Sequence, residues 1–331
     1  MLYINNQPIP LADAMLKYLI IPLAKNAVSF CHYDRPACDT QLIDFDTLKK
    51  AIVWAMKENL NIQFLYPDEP IPESYKDLID SVDHISIISS TCEDKQLTEN
   101  ADVIVFDTWA SINYYPFNKE KSYIIRTAKE DFADNARLLD TILPKLDRLV
   151  VLLTNPHEFS PEDFDRYERT LDTLIPAVVT EYKVGHYIHF NLLTDRIFLN
   201  EMNNCNAGHE SITLAPDGQF YACPAFYLDG SKSLGNIDDG IAIKNPQLYR
   251  LDHAPICSIC DAYQCRRCVW LNQKTTLEIN TPSHEQCVIA HIERNASKKL
   301  LETIQKHVGP ITQIEIKPVD YSDPLDSLIN M

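Results

Sequence analysis

Seven of the ten cysteines in this chain lie in one segment, and their spacing is that of a set of metal ligands. They are Cys205, Cys223, Cys257, Cys260, Cys265, Cys268 and Cys287. The four from Cys257 to Cys268 follow the pattern Cys-x2-Cys-x4-Cys-x2-Cys. Cysteines of a hydrophobic core have no reason to recur at such short intervals, whereas several thiolates are needed to surround one metal ion or cluster. The segment therefore predicts a metal centre.

The spacing alone leaves the kind of metal open. Cys260-x4-Cys265-x2-Cys268 matches the spacing of some 2Fe–2S ferredoxins. A single zinc site made by the four closest cysteines is an alternative, although zinc sites usually join two Cys-x2-Cys units across a longer loop. Such a zinc site would leave the other three cysteines without a role. Iron–sulfur clusters are the favoured interpretation, and zinc and free thiols are the alternatives.

Composition limits the class of protein. The chain has 331 residues, enough for one large or two ordinary domains, and its 45% hydrophobic content is typical of a globular protein. Its longest apolar stretch, residues 15–24, is interrupted by Lys17 and Pro22 and is too short to cross a bilayer. Without a recognisable signal peptide, we expect a cytoplasmic protein, where clustered cysteines hold metal rather than form disulfides.

Charge and glycine content argue against two further classes of function. The net charge of −17 disfavours binding to nucleic acid or to an anionic membrane, because both are polyanions. The first of the seven glycines is Gly185. A glycine-rich phosphate-binding loop is therefore absent from the first half of the sequence, since only glycine readily allows the close backbone approach that such a loop needs.

The first two thirds of the chain alternate between strand-like and helix-like segments. Strands rich in Ile, Val, Phe and Tyr are predicted at residues 27–31, 62–66, 84–89, 102–106, 122–126, 149–153 and 185–193. A helix is predicted at residues 44–60 with Asp46 as its N-cap, and another begins at Ser160-Pro161. This alternation predicts parallel strands joined by helices, as an open sheet or a barrel.

The pattern changes near residue 200. Asp217-Gly218 predicts the turn of a hairpin between strands at 211–214 and 219–222. A loop-rich, cysteine-containing region follows to Cys287. A helix is then predicted at residues 291–307 and a strand at 313–317, before a tail that frays.

The order of the cysteines resembles the SPASM domain. The resemblance rests on Cys205, Gly218-x4-Cys223, the four-cysteine block and the distant Cys287. That domain follows the barrel of many radical-SAM peptide-modifying enzymes and holds auxiliary 4Fe–4S clusters. Longer sequences beginning at Asn203, Cys223 and Thr281 resemble in particular the maturases associated with CXXX-repeat peptides.

The resemblance implies two 4Fe–4S clusters and a division of the chain into domains. One cluster would be held by Cys205, Cys223 and Cys268, and the other by Cys257, Cys260, Cys265 and Cys287. The first set has only three cysteines, so its fourth position is open or filled by another residue. The domains would be a degenerate, partial (β/α) barrel of the radical-SAM type at 1–199, a small loop-rich SPASM-like metal domain at 200–290, and a C-terminal helix and tail at 291–331.

The sequence departs from the radical-SAM pattern where the catalytic cluster should be bound. The chain contains no Cys-x3-Cys-x2-Cys motif, and Cys31, His32 and Cys38 stand in its expected place. The glycine-rich SAM-binding segment is also missing, so we expect no SAM binding. Cys31 and His32 are interpreted as structural residues rather than as a nucleophile and its base, because neighbours on a strand point to opposite faces.

The function implied by the resemblance is that of an iron–sulfur protein in the maturation of ribosomal peptides. Its client would be a precursor with CXXX repeats, and its partner an intact radical-SAM maturase to which it presents the peptide or relays electrons. Two alternatives stay open. One is a zinc-stabilised peptide-binding scaffold, and the other is direct modification of the peptide by an unconventional cluster at Cys31, His32 and Cys38. The sequence does not specify the modification chemistry.

Overall fold

The computed structural model describes residues 16–37 and 39–317, together with the backbone of two short strands near the N-terminus. These are β1 (Leu2–Ile4) and β2 (Gln7–Ile9), which pair in antiparallel fashion. Cys38 and residues 318–331 lie outside the described residues, and so do the predictions made for them.

A single mixed sheet organises the rest of the chain. Its strands are β3 (Tyr18–Pro22), β4 (Asn61–Leu65), β5 (His84–Ser89), β6 (Val103–Phe106), β7 (Ser122–Thr127), β8 (Arg148–Leu153), β9 (His189–Phe190), β10 (Ser211–Leu214) and β11 (Phe220–Tyr221). The nine strands are ordered β11-β10-β3-β4-β5-β6-β7-β8-β9. All neighbours from β10 to β9 are parallel, and only β11 is antiparallel to its neighbour. The described strands therefore form an open sheet with edges at β9 and β11.

Most of the predicted strands are confirmed. The predicted segments that became β4 to β8 agree with the structure to within one residue at each end, because each is a buried apolar run. The predicted hairpin is also confirmed as β10 and β11, with Thr213 opposite Tyr221 and Gly218 in the turn at φ +75°. Since β10 pairs with β3, the sheet contains residues from both sides of residue 200.

The strand predicted at residues 27–31 is wrong. The first strand of the sheet is Tyr18–Pro22, and residues 27–31 belong to the loop that follows it. This loop resembles a strand in composition because it folds back over the sheet, where Ala27 and Val28 are buried against strand residues. The amide of Val28 donates to the carbonyl of Tyr66 at 2.9 Å, but no ladder continues from that bond. The strand predicted at 185–193 is reduced to His189–Phe190.

Ten α-helices, most of them short, accompany the strands within the described residues. They are α1 (Phe45–Lys57), α2 (Glu73–Ile79), α3 (Lys95–Asn100), α4 (Lys129–Asn135), α5 (Leu139–Ile142), α6 (Pro161–Lys183), α7 (Asp195–Phe198), α8 (Pro224–Leu228), α9 (Val269–Thr276) and α10 (His284–His307). The predicted start of α6 is confirmed, because Ser160 and Asp163 form a reciprocal capping box. The predicted cap of α1 is wrong, because Asp44 rather than Asp46 accepts the amide of Thr47.

The C-terminal part differs from the prediction in two respects. Helix α10 begins at His284, one residue after its N-cap Ser283, and not at residue 291. Residues 313–317 are irregular rather than a strand, although Ile316 is buried against the core. The carbonyl of Lys317 accepts a hydrogen bond from the buried Arg294 at 2.7 Å, which holds this segment beside α10.

The long helices α6 and α10 pack on each other, and the hydroxyl of Tyr167 on α6 donates to Glu293 on α10 at 2.8 Å. No helix among the described residues is both long and apolar enough to cross a membrane. The carboxyl ends of β3 to β9 meet at one edge of the sheet, which is the edge where parallel α/β folds bind ligands. The loop after β3 reaches this edge and carries Cys31 and His32.

Candidate metal centre

Three potential metal ligands from distant parts of the chain come together at the carboxyl edge of the sheet. The ligand atoms of Cys31, His32 and Cys268 all lie within 4.8 Å of one another, the one group of three so arranged among residues 16–37 and 39–317. Cys31 and His32 belong to the loop after β3, and Cys268 is the N-cap residue of α9. The N-terminal loop thus contacts the cysteine-rich segment directly.

Arg126 on β7 fixes the backbone on which Cys31 stands. It is only 6% exposed, and its Nε donates to the carbonyl of Cys31 at 2.8 Å. Its Nη2 donates to the carbonyl of Tyr33 at 2.6 Å and to Asp34 at 2.9 Å, and its Nη1 donates to Asp107 at 2.5 Å. These bonds satisfy two carbonyls that have no strand partner and hold the turn in one conformation.

His32 is oriented by the end of β8. Its Nδ1 lies 2.9 Å from the carbonyl of Leu153, so this nitrogen is the donor and Nε2 keeps its lone pair. Burial lowers the pKa of the imidazole, which keeps it neutral near pH 7. A neutral ring that donates through one nitrogen to a carbonyl is the arrangement usual in metal-binding histidines.

The sulfurs of Cys31 and Cys268 lie within 4.8 Å of each other. Interaction with the Cys268 thiol holds the pKa of Cys31 well below its usual range, and the charge of Arg266 acts in the same direction. The Cys268 sulfur also accepts the amide of Leu271 at 3.5 Å, at the start of α9. These contacts favour a thiolate at this position, and the thiolate is the form of cysteine that binds metal.

Cys205 and Cys223 lie near this pair. Burial and the charges of Cys205 and Cys31 raise the pKa of Cys223 well above its usual range. Cys223 is the N-cap residue of α8, directly after β11. Cys205 is the exposed member of the group, yet its thiol is surrounded by enough protein that burial raises its pKa to about 11. The structure thus brings Cys31 within 4.8 Å of Cys268, and the assignment of Cys205, Cys223 and Cys268 to one cluster stays a prediction.

The remaining four cysteines gather in a second group. Cys257, Cys260 and Cys265 pack around Met202 and Ala254. Burial is the main cause that raises the pKa of Cys265, and the charges of Cys257 and Cys287 act in the same direction. The Cys260 sulfur lies 3.7 Å from Nε2 of His291 on α10. None of the nine cysteines among the described residues forms a disulfide.

Two arginines between Cys265 and Cys268 place positive charge beside both groups. Arg267 is 3% exposed, and its guanidinium donates to the carbonyls of Tyr249 and Arg250, each at 3.0 Å. Its charge lowers the pKa of Cys257, against the larger effect of burial. Arg266 is half-buried, and its charge lowers the pKa values of Cys31 and His32. Positive charge at these positions offsets the negative charge that several thiolates would bring.

Two cavities lie at the carboxyl edge of the sheet. The first, about 560 Å³ including space open to solvent, is lined by His32, Leu153, Arg266, Cys268 and Glu293, among others. Burial raises the pKa of Glu293 to about 7.

The second cavity is wider, about 1190 Å³ with its open solvent space, and is lined by charged residues that include Asp34, Arg35, Asp107 and Arg126. Arg126 therefore joins the wall of this cavity to the loop that carries Cys31.

Comparison with known proteins identifies a fold but no sequence family. No protein-family model matches the sequence, and no curated protein matches it. The fold is similar to that of anSMEcpe with bound AdoMet, with a TM-score of 0.58 and 15% identity over 87% of this chain and 99% of that chain. anSMEcpe with AdoMet and the Cp18Cys peptide gives a TM-score of 0.58 and 16% identity over 88% of this chain and 99% of that chain.

A more distant similarity is to Streptococcus suis SuiB bound to S-adenosylmethionine, with a TM-score of 0.45 and 12% identity over 83% of this chain and 75% of that chain. The anSMEcpe comparisons confirm the predicted α/β fold with its mostly parallel sheet. At these identities the similarity is one of fold alone.

Sequence reasoning gave Cys31 as a structural residue or, in one alternative, as a ligand of a cluster with His32 and Cys38, and it missed Arg126. Cys31 was interpreted as a structural residue on a strand, whereas it lies in a loop with its thiol against Cys268. The signal that could have pointed to Cys31 was the resemblance, because it assigned only three cysteines to one cluster and left the fourth ligand open. Arg126 carries no such signal, because two of its partners are backbone carbonyls.

Proposed function

We propose that this chain is an iron–sulfur protein that acts in the maturation of ribosomally made peptides. The observation that carries the proposal is that Cys257, Cys260 and Cys265 pack in one cluster while Cys268 lies within 4.8 Å of Cys31. In the proposal one cluster is held by Cys205, Cys223 and Cys268, and the other by Cys257, Cys260, Cys265 and Cys287. When bound, 4Fe–4S clusters would supply one-electron transfer. The chain's own residues would hold them, with Arg266 and Arg267 offsetting their charge.

The donor set fits such clusters. Each group consists of soft thiolate ligands, which is the set that iron–sulfur clusters require. The thiols of Cys257 and Cys265 are buried enough that their pKa values are raised, and binding of metal would remove those protons. In this proposal residues 200–290 form the SPASM-like metal domain, residues 1–199 form the radical-SAM-like domain, and residues 291–331 form the C-terminal helix and tail.

The proposed client is a precursor peptide with CXXX repeats. Support comes from the sequence resemblance and from the similar fold of anSMEcpe, a structure of which holds the Cp18Cys peptide. The wide cavity beside Arg126 offers this chain a surface for a peptide, with both carboxylates and guanidinium groups in its walls. We assign the chain an accessory role, in which it presents the peptide or relays electrons to an intact radical-SAM maturase.

The fold similarity and the sequence disagree on whether this chain binds AdoMet. The similar structures of anSMEcpe hold AdoMet, which counts against our expectation that this chain does not bind it. The loop after β3, however, offers Cys31 and Cys38 in place of a three-cysteine motif. We retain the accessory role and make AdoMet binding one of its tests.

The proposal is tested by measuring binding and AdoMet cleavage on the reconstituted protein. A synthetic peptide with CXXX repeats should bind in isothermal titration calorimetry, and the same peptide with its cysteines replaced by serine serves as the control. Reduced protein with AdoMet should release no deoxyadenosine. Failure of the CXXX peptide to bind would contradict the client, and deoxyadenosine release would contradict the accessory role and favour direct peptide modification.

A second candidate function is a zinc-stabilised peptide-binding scaffold without a redox role. The observation in its favour is that the ligand atoms of Cys31, His32 and Cys268 lie within 4.8 Å of one another. Two thiolates and an imidazole around one point are a usual part of a tetrahedral zinc site. Metal analysis separates this candidate from the first.

A further inference from the structure

We propose that Cys31 is the fourth thiolate of the metal centre that includes Cys205, Cys223 and Cys268. This inference rests on the proposed function in that it completes one of its two metal centres. It adds a ligand from outside the cysteine-rich segment, so that the centre joins the loop after β3 to residues 200–290.

The first argument is position. The sulfur of Cys31 lies within 4.8 Å of the Cys268 sulfur and of a ring nitrogen of His32. The resemblance assigns Cys268 to one cluster together with Cys205 and Cys223, which gives that cluster three cysteines. With Cys31 beside Cys268 the set has four, the number of cysteines that a complete 4Fe–4S cluster requires.

The second argument is that Cys31 is held in place by the surrounding protein. Arg126 donates to the carbonyls of Cys31 and Tyr33, and the hydroxyl of Ser29 donates to the carbonyl of Tyr33 at 2.5 Å. A loop that only covered the sheet would need no buried guanidinium to hold two of its backbone carbonyls in place. Ligands held in this way before metal binds lose little conformational entropy on binding.

The third argument concerns the alternative ligand, His32. Its Nδ1 is taken by the carbonyl of Leu153, which leaves Nε2 as the one nitrogen able to bind metal. A cluster ligated by three of the thiols and His32 is thus the competing arrangement, and it predicts a different pattern of variants. In our assignment His32 is a positioning residue that packs beside the cluster.

A consequence follows for the N-terminal half. Because Cys31 is used by this centre, it is not available to a separate cluster with Cys38. Metal binding should instead tie the loop after β3 to α9, which begins at Cys268.

The test compares variants of the full chain after anaerobic cluster reconstitution. The variants are Cys31→Ala, Cys268→Ala, His32→Gln and, as a matched control, Cys92→Ala. Cys92 is also a partly buried free thiol in a loop that follows a sheet strand. Iron, sulfide and zinc per chain are measured together with the EPR spectrum, and circular dichroism verifies that each variant is folded.

We expect Cys31→Ala and Cys268→Ala to lose the same centre, either as about half of the total iron or as conversion to a three-iron cluster visible by EPR. Cys92→Ala should keep the wild-type iron content, and His32→Gln should lose less iron than Cys31→Ala. If Cys31→Ala keeps the wild-type iron content and spectrum while Cys268→Ala does not, Cys31 is not a ligand. Loss of iron in His32→Gln but not in Cys31→Ala would assign the position to His32.

Thiol protection gives a second measurement that needs no substitution. In metal-loaded wild-type protein Cys31 should resist alkylation, and it should label after metal is removed by a chelator, with Cys92 as the internal reference. Labelling of Cys31 at the same rate in both states would overturn the assignment. If wild-type protein binds zinc alone and Cys31→Ala loses it, the ligand assignment stands and the iron–sulfur function fails. If the wild type binds no metal, both fail.

Discussion

The sulfurs of Cys31 and Cys268 lie within 4.8 Å of one another, although Cys31 lies in the loop after the first strand of the sheet and Cys268 is the N-cap residue of helix α9. This contact joins the α/β part of the chain to its cysteine-rich segment at the edge where parallel sheets bind ligands. The stability of the loop and the retention of metal should therefore depend on one another.

Replacement of Arg126 by methionine should lower both the stability of the loop after β3 and the retention of metal. The substitution keeps the side chain's apolar bulk but removes the donors to the carbonyls of Cys31 and Tyr33. We expect a loss of about 2 kcal/mol in the free energy of unfolding of the metal-free protein, because the carbonyl of Cys31 loses its 2.8 Å donor and that of Tyr33 keeps only the Ser29 hydroxyl. Metal should also leave several-fold faster in the presence of a chelator.

The control is Arg137→Met, because the Arg137 side chain is 72% exposed and lies 3.8 Å from Asp140. Urea unfolding and chelator kinetics should leave this control close to the wild type. Equal effects of the two substitutions would mean that Arg126 has no particular role in holding the loop.

Replacement of Arg266 by glutamine should lower the reduction potential of the reconstituted protein. The charge of Arg266 lowers the pKa of Cys31, which shows that it favours negative charge at this centre. Removing it disfavours the reduced state, by on the order of tens of millivolts for a charge at this range. Spectroelectrochemical titration measures the change, with Arg169→Gln on the exposed face of α6 as the control. An unchanged potential would contradict the electrostatic role.

Gly208 should tolerate no side chain. It lies in the turn after Cys205 at φ +81°, and a Cβ added there would be 2.3 Å from Cδ1 of Tyr249, whose ring is buried. Gly208→Ala should cost about 3 kcal/mol in unfolding free energy, from backbone strain and overpacking together. Gly230→Ala, at φ +75° with nothing within 4 Å, should cost about 1 kcal/mol. Similar unfolding free energies for both variants would argue against the close packing of this turn.

Acidic pH should remove the stability that the ionised Asp163 carboxylate contributes at the start of helix α6. Donation from Lys129 and from the backbone of Ser160 lowers the pKa of Asp163 from 3.8 to about 2. Because the folded state favours the ionised carboxylate, the added stability is present above the unfolded pKa and is lost as pH falls towards 2. Asp163→Asn should therefore differ from the wild type by about 1 kcal/mol above pH 5 and by progressively less below it.

Thermal unfolding of the metal-free protein across this pH range measures the effect. The exposed Asp165, on the same helix, gives the control Asp165→Asn. A difference between wild type and Asp163→Asn that persists unchanged at pH 2 would show that the charge of Asp163 is not its source.

The sequence predicted the parts of the fold that depend on local apolar pattern. Strands β4 to β8 and the hairpin of β10 and β11 are continuous buried runs bounded by polar or turn residues. Strand β3 was missed because Lys17 and Pro22 interrupt its apolar run, and the buried loop at residues 27–31 was taken for a strand instead. An apolar run indicates only that a segment is buried, and a buried loop shows the same pattern as a buried strand.

The candidate site was predictable only where its residues are neighbours in sequence. The cysteine-rich segment could be recognised from its spacing, but the position of Cys31 depends on how the loop after β3 folds over the sheet. That fold is fixed by donation from Arg126 to the carbonyl of Cys31 and from the amide of Val28 to the carbonyl of Tyr66, and such backbone bonds leave no mark on residue type. Contacts of this kind require the three-dimensional structure.

The most direct test of the central claim is the content of iron, sulfide and zinc in anaerobically purified protein, before and after cluster reconstitution. Two 4Fe–4S clusters predict about eight irons per chain with matching sulfide. About twelve irons would indicate a third cluster and revive radical chemistry in this chain. Stoichiometric zinc without iron would contradict the iron–sulfur account and leave a peptide-binding scaffold in its place.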